Sequence, residues 1–191
     1  MRLFVALPLP PDVASAATQL IPEQPAFRRV RPELLHVTLA FIGRVPDAQL
    51  DAVIAATREA ASAHAPFPVS LTSAGRFPET GSPRIVWLGM REGEKDSTRL
   101  ATSVRAALAA RGIAYDDKPF RAHVTLARVR EDTDRETGRA IASQVQALSF
   151  PPLRWTAREV LPVESVLSPK GPRYTPRAVV ALGAGSATSG S

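Results

Sequence analysis

Two copies of one pentapeptide, His-Val-Thr-Leu-Ala, constrain the fold of this chain more than any other feature of its sequence. The copies occupy residues 36–40 and 123–127. The chain has 191 residues and only 3 histidines, and two of the histidines belong to these copies. An identical internal repeat in a chain of single-domain length favours two similar lobes that present equivalent strands.

Each copy predicts a β-strand with one polar face and one apolar face. Side chains alternate along a strand, so His36 and Thr38 share a face, as do His123 and Thr125, while the Val and Leu of each copy point to a core. If a pseudo-twofold axis relates the lobes, the two polar pairs face each other across a cleft. Two imidazoles can then act as general base and general acid, and two hydroxyls can bind phosphate oxygens, as in-line displacement at phosphorus requires.

The motifs also have a simpler interpretation, in which each is an ordinary strand that favours Thr and places His at an edge. This interpretation explains one copy easily and two identical copies poorly. His64, the third histidine, has no matching partner and is expected at the surface, near the C-terminal end of an alanine-rich helix.

A metal-dependent hydrolase is the rival enzyme class. The carboxylates cluster in Asp116-Asp117 and in the run 131–134. Neither cluster has a histidine at ligand spacing, and runs of charge are usually solvated. We therefore expect no metal and no cofactor at the site.

The pattern of apolar residues predicts alternating strands and helices. Strands are expected at 2–9, 35–42, 69–72, 84–90, 122–129, 153–167 and 177–182. Helices are expected at 11–20, at 48–64 with Asp47 as N-cap, at 98–110 with Ser97 as cap, and at 133–148. The sequence thus predicts an α+β fold with a single bilobal domain over residues 1–183 and a disordered tail over residues 184–191.

Charge and composition limit the partners and the cellular location that we expect for the protein. The net charge is +6, which favours phosphate-bearing partners, but a GC-rich coding sequence, which enriches Ala, Arg and Pro, explains the charge about equally well. The chain has no cysteine, which excludes disulfides and cysteine-ligated zinc. Prolines at positions 8, 10 and 11 interrupt the N-terminal apolar run, and no apolar stretch approaches the roughly 20 residues of a membrane span. A monomeric cytoplasmic protein that does not bind membranes is expected.

Beyond the two motifs, the sequence resembles the 2H phosphoesterase superfamily over nearly its whole length. Within that superfamily it is similar to the RNA 2′,3′-cyclic phosphodiesterase branch, historically called 2′-5′ RNA ligases. The blocks that carry the resemblance are Arg-Leu-Phe-Val-Ala-Leu at 2–7, the two motifs with their flanks at 35–43 and 120–128, and the segments 75–78, 84–89, 164–167 and 171–174.

The resemblance implies a bilobal fold in which two antiparallel sheets line a cleft and helices lie outside. It implies metal-independent hydrolysis of RNA 2′,3′-cyclic phosphate ends to 2′-phosphomonoesters, with weak reversible 2′-5′ joining of RNA ends in some members. It also implies that His36 is the proton donor and His123 the proton acceptor, although the pseudo-symmetry makes the reverse assignment almost as plausible from sequence. The non-enzyme alternative is a protein that binds RNA ends with little turnover.

Further site residues follow from the same resemblance. Thr38, Thr125 and Arg128 are expected to bind the substrate phosphate, and Phe41 is expected to stack on the terminal base. The alternative is that Phe41 belongs to the core and that Arg128 is solvated. The sequence also departs from the branch in two places. Ala122 stands where proline commonly precedes the second motif. Arg28-Arg29 stand where an aromatic residue often precedes the first strand, which leaves open how RNA beyond the terminal nucleotide is held.

Overall fold

A computed structural model describes residues 1–169 and 171–183. The helices are α1 (Pro11–Gln19), α2 (Leu50–Ser62), α3 (Glu94–Ala109) and α4 (Arg135–Ala147). The strands are β1 (Arg2–Pro8), β2 (Phe27–Arg29), β3 (His36–Arg44), β4 (Phe67–Phe77), β5 (Ile85–Met90), β6 (His123–Val129), β7 (Leu153–Ala157), β8 (Glu159–Ser168), β9 (Gly171–Pro176) and β10 (Val180–Ala181). None of the described helices has both the length and the apolar content needed to cross a bilayer.

The strands form antiparallel ladders in the order β10-β8-β1-β3-β6-β5-β4-β7, with β9 beside β8 and β2 beside β6. The two motif strands, β3 and β6, lie at the centre, and each half of the sheet extends outward from one of them. A single residue pair, Val37 opposite Val124, joins the halves. The predicted α+β bilobal architecture is confirmed, and the two sheets that the resemblance implies meet at this pair.

An extra residue interrupts both motif strands at the same place. On β3, Ala40 pairs with Val5 and Thr38 pairs with Ala6, so Leu39 has no partner of its own on β1. On β6, Ala127 pairs with Val86 and Thr125 pairs with Trp87, so Leu126 is unpaired on β5. Such a β-bulge shifts the alternation of side chains by one residue. As a result, the Leu and the Ala of each copy are both buried.

The main hydrophobic core lies between the sheet and the helices. The motif strands contribute their alternate apolar residues, Val37, Leu39, Val124 and Leu126, all at 0–1% exposure. A second, smaller cluster of Phe4, Ala6 and Val163 lies apart from this core, with Phe41 and Tyr174 packed against it. Burial of this apolar surface stabilises the fold by roughly 25 cal/mol per Å². Because it fixes the core face of each motif strand, it also fixes the direction of the polar face.

Several predicted element boundaries are wrong. Asp47 does not cap α2, because a short 3₁₀ turn at Asp47–Gln49 precedes that helix and the Asp47 carboxylate pairs with the Met1 amino group at 2.7 Å. Ser97 does not cap α3 either. That helix begins at Glu94, and Ser97 is fully buried inside its first turns with its hydroxyl against Met90 Sδ.

The remaining differences concern strands. β4 continues to Phe77, well past the predicted end at 72, and the segment 153–167 divides into β7 and β8. The short strand β2 and the hairpin strand β9 were not predicted, since neither has an alternating apolar pattern. The predicted tail, 184–191, lies outside the described residues.

Candidate active site

The two motif strands open into one cleft of about 860 Å³. Its floor carries both histidines and both threonines of the repeat. The rim comes from β1, from the segment that includes β2, and from the β8–β9 hairpin. The predicted site residues all line this cleft: His36, Thr38, Phe41, His123, Thr125 and Arg128.

Both imidazoles are held in the same way. His36 Nδ1 lies 2.7 Å from the carbonyl oxygen of Leu34, and His123 Nδ1 lies 2.7 Å from the carbonyl oxygen of Arg121. A carbonyl oxygen can only accept a hydrogen bond, so Nδ1 carries a proton in each ring. In the neutral form Nε2 is therefore the free base, and it is the nitrogen available for proton transfer.

The two histidines differ at Nε2. His36 Nε2 lies 3.0 Å from Thr38 Oγ1, so the hydroxyl donates to the neutral ring and accepts from the protonated one. Of the described residues, none forms the equivalent hydrogen bond with His123 Nε2. The pseudo-symmetry of the repeat is thus complete at Nδ1 and broken at Nε2.

Each histidine ring is packed against two aromatic rings. The ring of His36 lies 4.8 Å from that of Phe4 and 5.5 Å from that of Tyr174. The ring of His123 lies 5.4 Å from that of Phe77 and 6.2 Å from that of Trp87. Aromatic pairs at these distances are attractive, and they restrict the rotation of the imidazoles.

Burial lowers the pKa of both histidines from the ordinary value of 6.5. The hydrogen bond to the Leu34 carbonyl partly offsets this for His36, and the charge of His123 lowers the pKa of His36 further. For His123 the Arg121 carbonyl has the offsetting effect and the Arg121 charge lowers the pKa. Both rings are therefore mostly neutral at pH 7 in the free protein, and a bound anion would favour the protonated form of either.

The bulges decide where Phe41 and Arg128 point. With strict alternation both side chains would lie on the core face, opposite the histidines. Because each strand contains this extra residue, the residue that follows each pentapeptide points into the cleft. The Phe41 ring is half-buried, and the guanidinium of Arg2 lies 5.0 Å from its centroid. Arg128 is exposed.

The cleft is strongly cationic. Its described lining includes five arginines, at positions 2, 28, 29, 31 and 128, and no carboxylate. Arg29 is held by Glu23 at 2.9 Å, and Arg31 is held by Glu33 at 3.2 Å and the Pro172 carbonyl at 3.2 Å. In a partly enclosed cleft such a field attracts and concentrates phosphate-bearing ligands.

The carboxylate clusters that we weighed as metal ligands make other contacts. Asp116 pairs with Lys118 at 3.0 Å, and Asp134 caps α4 through the Thr137 amide at 2.8 Å. In the segments 1–169 and 171–183, no three His, Cys, Asp or Glu side chains group as metal ligands do. His64 lies just beyond α2, where its Nε2 is 2.9 Å from Ser103 Oγ, far along the chain from both motifs.

Sequence reasoning did not single out Phe4, Phe77, Trp87 and Tyr174 as site residues. They come from β1, β4, β5 and β9, and no periodic pattern links them to the motifs. The register could have indicated two of them, because Phe4 pairs with Phe41 and Trp87 pairs with Thr125 on neighbouring strands. Residues directly opposite in an antiparallel pair share a face.

Comparison with known proteins is consistent with this geometry. Residues 8–164 match the 2′-5′ RNA ligase superfamily. Two relatives named RNA 2′,3′-cyclic phosphodiesterase are 34% identical, from Archaeoglobus fulgidus (91% of this chain, 96% of the relative), and 37% identical, from Thermus thermophilus (92% and 87%). A crystal structure of Escherichia coli LigT complexed with 3′-AMP superposes with a TM-score of 0.73 at 27% identity, covering 95% of this chain and 97% of that one. The chain belongs to the 2′-5′ RNA ligase superfamily.

Proposed function

We propose that this protein hydrolyses RNA 2′,3′-cyclic phosphate ends to 2′-phosphomonoesters by metal-independent general acid–base catalysis. The observation that carries the proposal is the pair of histidines, each with Nδ1 fixed on a carbonyl and Nε2 available, in one cationic cleft. The names of the two relatives at 34% and 37% identity support the same substrate class.

The reaction needs one proton to leave water and one to reach the departing oxygen. His123 Nε2 accepts a proton from water as the water oxygen bonds to phosphorus. The bond between phosphorus and O3′ breaks, and O3′ takes a proton from His36 Nε2. The hydrogen bond between His36 and Thr38 fits either role, because Thr38 Oγ1 donates to the neutral ring and accepts from the protonated one. As the acid, His36 directs its Nε2 proton to O3′ in place of Thr38. The pseudo-symmetry of the two strands leaves open the reverse assignment, in which His36 is the base and His123 is the acid.

The phosphate needs donors that do not exchange protons. Thr38 and Thr125 each offer a hydroxyl on the polar face of their strands, and Arg128 offers a guanidinium from the rim. Charge-assisted bonds from arginine to phosphate are among the stronger hydrogen bonds. Phe41 offers an aromatic ring on the same face, suited to stacking on the terminal base.

Hydrolysis is tested with an RNA that ends in a 2′,3′-cyclic phosphate. The expected product carries the phosphate on O2′, and a 3′-phosphate would contradict the mechanism. Replacing either histidine by alanine should lower kcat on the order of 10²–10⁴-fold, the usual contribution of a positioned acid or base. Wild-type rates in both alanine variants would overturn the proposal.

The two roles are separated by a substrate with an activated 3′ leaving group, which does not need an acid. His36→Ala should then recover most of its rate, and His123→Ala should not. Recovery of His123→Ala alone would reverse the assignment. Recovery of neither would mean that the histidines act mainly by binding the phosphate.

Two other activities are compatible with the same cleft. A 5′-hydroxyl in place of water would give 2′-5′ joining, with the same bond to O3′ broken. A protein that binds RNA ends with little turnover is the non-enzyme alternative. The intact pair of histidines disfavours it, and multiple turnovers of a cyclic-phosphate nucleotide would exclude it. Cytoplasmic location and a monomeric state stay predictions from the sequence.

A further inference from the structure

Four of the five arginines that line the cleft are not used by the proposed reaction, and Arg28 is one of them. Arg28 lies on β2, directly opposite Arg128 on β6. Directly opposite residues of an antiparallel pair point to the same face with Cβ atoms about 4.5–5.5 Å apart. Both side chains are exposed and both line the cleft. The sheet therefore presents two guanidinium groups side by side at the cleft rim.

A like-charged pair in direct opposition is unfavourable unless something anionic lies between or beside its members. In the part of the chain that the structure describes, no carboxylate forms an ion pair with Arg28 or Arg128. By contrast, Arg29 pairs with Glu23 and Arg31 pairs with Glu33. The guanidinium groups of Arg28 and Arg128 are thus available to bind an anion from outside the protein.

The position of the pair along β6 indicates which anion. On the side of β6 away from β5, its neighbour near His123 is β3, through the Val37–Val124 pair. From Ala127 to Val129 the neighbour is β2. Arg128 lies three residues beyond Thr125, about 10 Å of strand at 3.3 Å per residue. A long arginine on the same strand as Thr125 can reach back along that distance to the catalytic phosphate. Arg28 lies on the neighbouring strand β2, which continues the rim of the cleft past the N-terminal end of β3.

We infer that Arg28 binds the phosphodiester that precedes the terminal nucleotide, and so makes the protein prefer RNA ends over free cyclic mononucleotides. This inference rests on the proposed function, since Arg128 is assigned there to the cyclic phosphate. Arg28 acts as a specificity determinant. It takes no part in proton transfer, because the guanidinium stays protonated.

Three substrates isolate the contact. They are a nucleoside 2′,3′-cyclic phosphate, a dinucleotide with the same end, and that dinucleotide with a neutral methylphosphonate in place of its internal phosphodiester. The wild type should prefer the charged dinucleotide to the methylphosphonate by about tenfold to a hundredfold in kcat/KM, the usual contribution of one hydrogen bond to a charged group. Arg28→Gln should abolish that preference, and Arg28→Lys, which keeps the charge, should retain part of it.

The matched control is Arg58→Gln, which removes the same charge from an exposed position on α2, outside the cleft lining. It should leave the preference unchanged. The slope of log kcat/KM against log salt concentration for the charged dinucleotide should become shallower by about 0.7 in Arg28→Gln, as expected for one lost phosphate contact on a single strand.

Two results would overturn the inference. One is an equal loss in Arg28→Gln on all three substrates, because Arg28 would then act at the cyclic phosphate. The other is an unchanged preference in Arg28→Gln. Binding of the two 2′-phosphate dinucleotide products, charged and methylphosphonate, is measured in parallel. If the wild type turned over no substrate, the proposed function would fail, while the difference in product affinity would still decide the role of Arg28.

Discussion

Gly75 is the position where a single methyl group should disturb the catalytic centre without touching it. It lies on β4 against the flat face of Trp87. A Cβ at this position would lie 2.2 Å from Cζ2 and 2.4 Å from Cη2 of the indole. Carbon atoms in contact need about 3.5–4.0 Å, so the ring must move by more than about 1 Å. Gly75 has an ordinary negative φ, so the effect of alanine would be steric.

The displaced indole has little room. It lies 5.2 Å from the ring of Phe77 and 6.2 Å from the ring of His123, centroid to centroid. Overpacking of this kind costs about 1–3 kcal/mol of stability, or about 2–12 °C in Tm for a chain of this length. A shift of about 1 Å in a catalytic group can lower a rate on the order of 10²-fold. We therefore expect Gly75→Ala to lower kcat/KM by about tenfold to a hundredfold.

The assay is kcat/KM on a cyclic-phosphate RNA well below Tm, together with thermal denaturation. Gly138→Ala is the control, since its Cβ would meet nothing closer than 3.7 Å, and alanine inside α4 should raise stability by about 0.4–1 kcal/mol. Adding Trp87→Leu to Gly75→Ala should recover part of the lost stability. Wild-type Tm and kcat/KM in Gly75→Ala would refute the reasoning.

Three further predictions concern chemistry and recognition. Activity should survive excess EDTA, and loss in EDTA with rescue by a divalent ion would contradict the metal-free mechanism. Phe41→Ala should weaken binding of the RNA end by about 1–3 kcal/mol, measured by titration, with the fold intact by circular dichroism. Unfolding of that variant would make Phe41 a core residue. Because burial lowers the pKa of His36 and His123 below 6.5, both limbs of the kcat/KM profile should lie below pH 6.5. A bound anion raises these pKa values, so the limbs of kcat should lie at higher pH.

Much of the fold and the centre of the site could be predicted from the sequence, because the repeated motif carries two kinds of information. Its alternation places Val37 and Leu39 in the core, and its identity at both copies indicates two equivalent lobes. The family prediction is confirmed by the match over residues 8–164. The predicted helix caps were wrong. Asp47 forms an ion pair with the N-terminal amino group, and Ser97 is buried inside its helix.

The rest depends on long-range pairing that the sequence does not display. Strict alternation would turn Phe41 and Arg128 away from the histidines, and only resemblance placed them in the site. The bulges are visible in the register with β1 and β5, which no local pattern specifies. Tyr174 reaches His36 through the β8–β9 hairpin, whose strand β9 has no clear apolar period.

The bulges also make the two ends of the cleft chemically different. The five residues of each copy are identical, so the motif residues distinguish the two orientations of a substrate only through the hydrogen bond between His36 and Thr38. The residue that follows each copy differs, because it is an aromatic residue, Phe41, in one case and a cation, Arg128, in the other. Both side chains line the cleft. If Phe41 stacks on the base and Arg128 binds phosphate, as proposed, a molecule with a flat base at one end and a charged backbone at the other binds in one direction. In the proposed mechanism, these two non-identical neighbours favour one orientation of the substrate, and with it the histidine that faces the leaving oxygen.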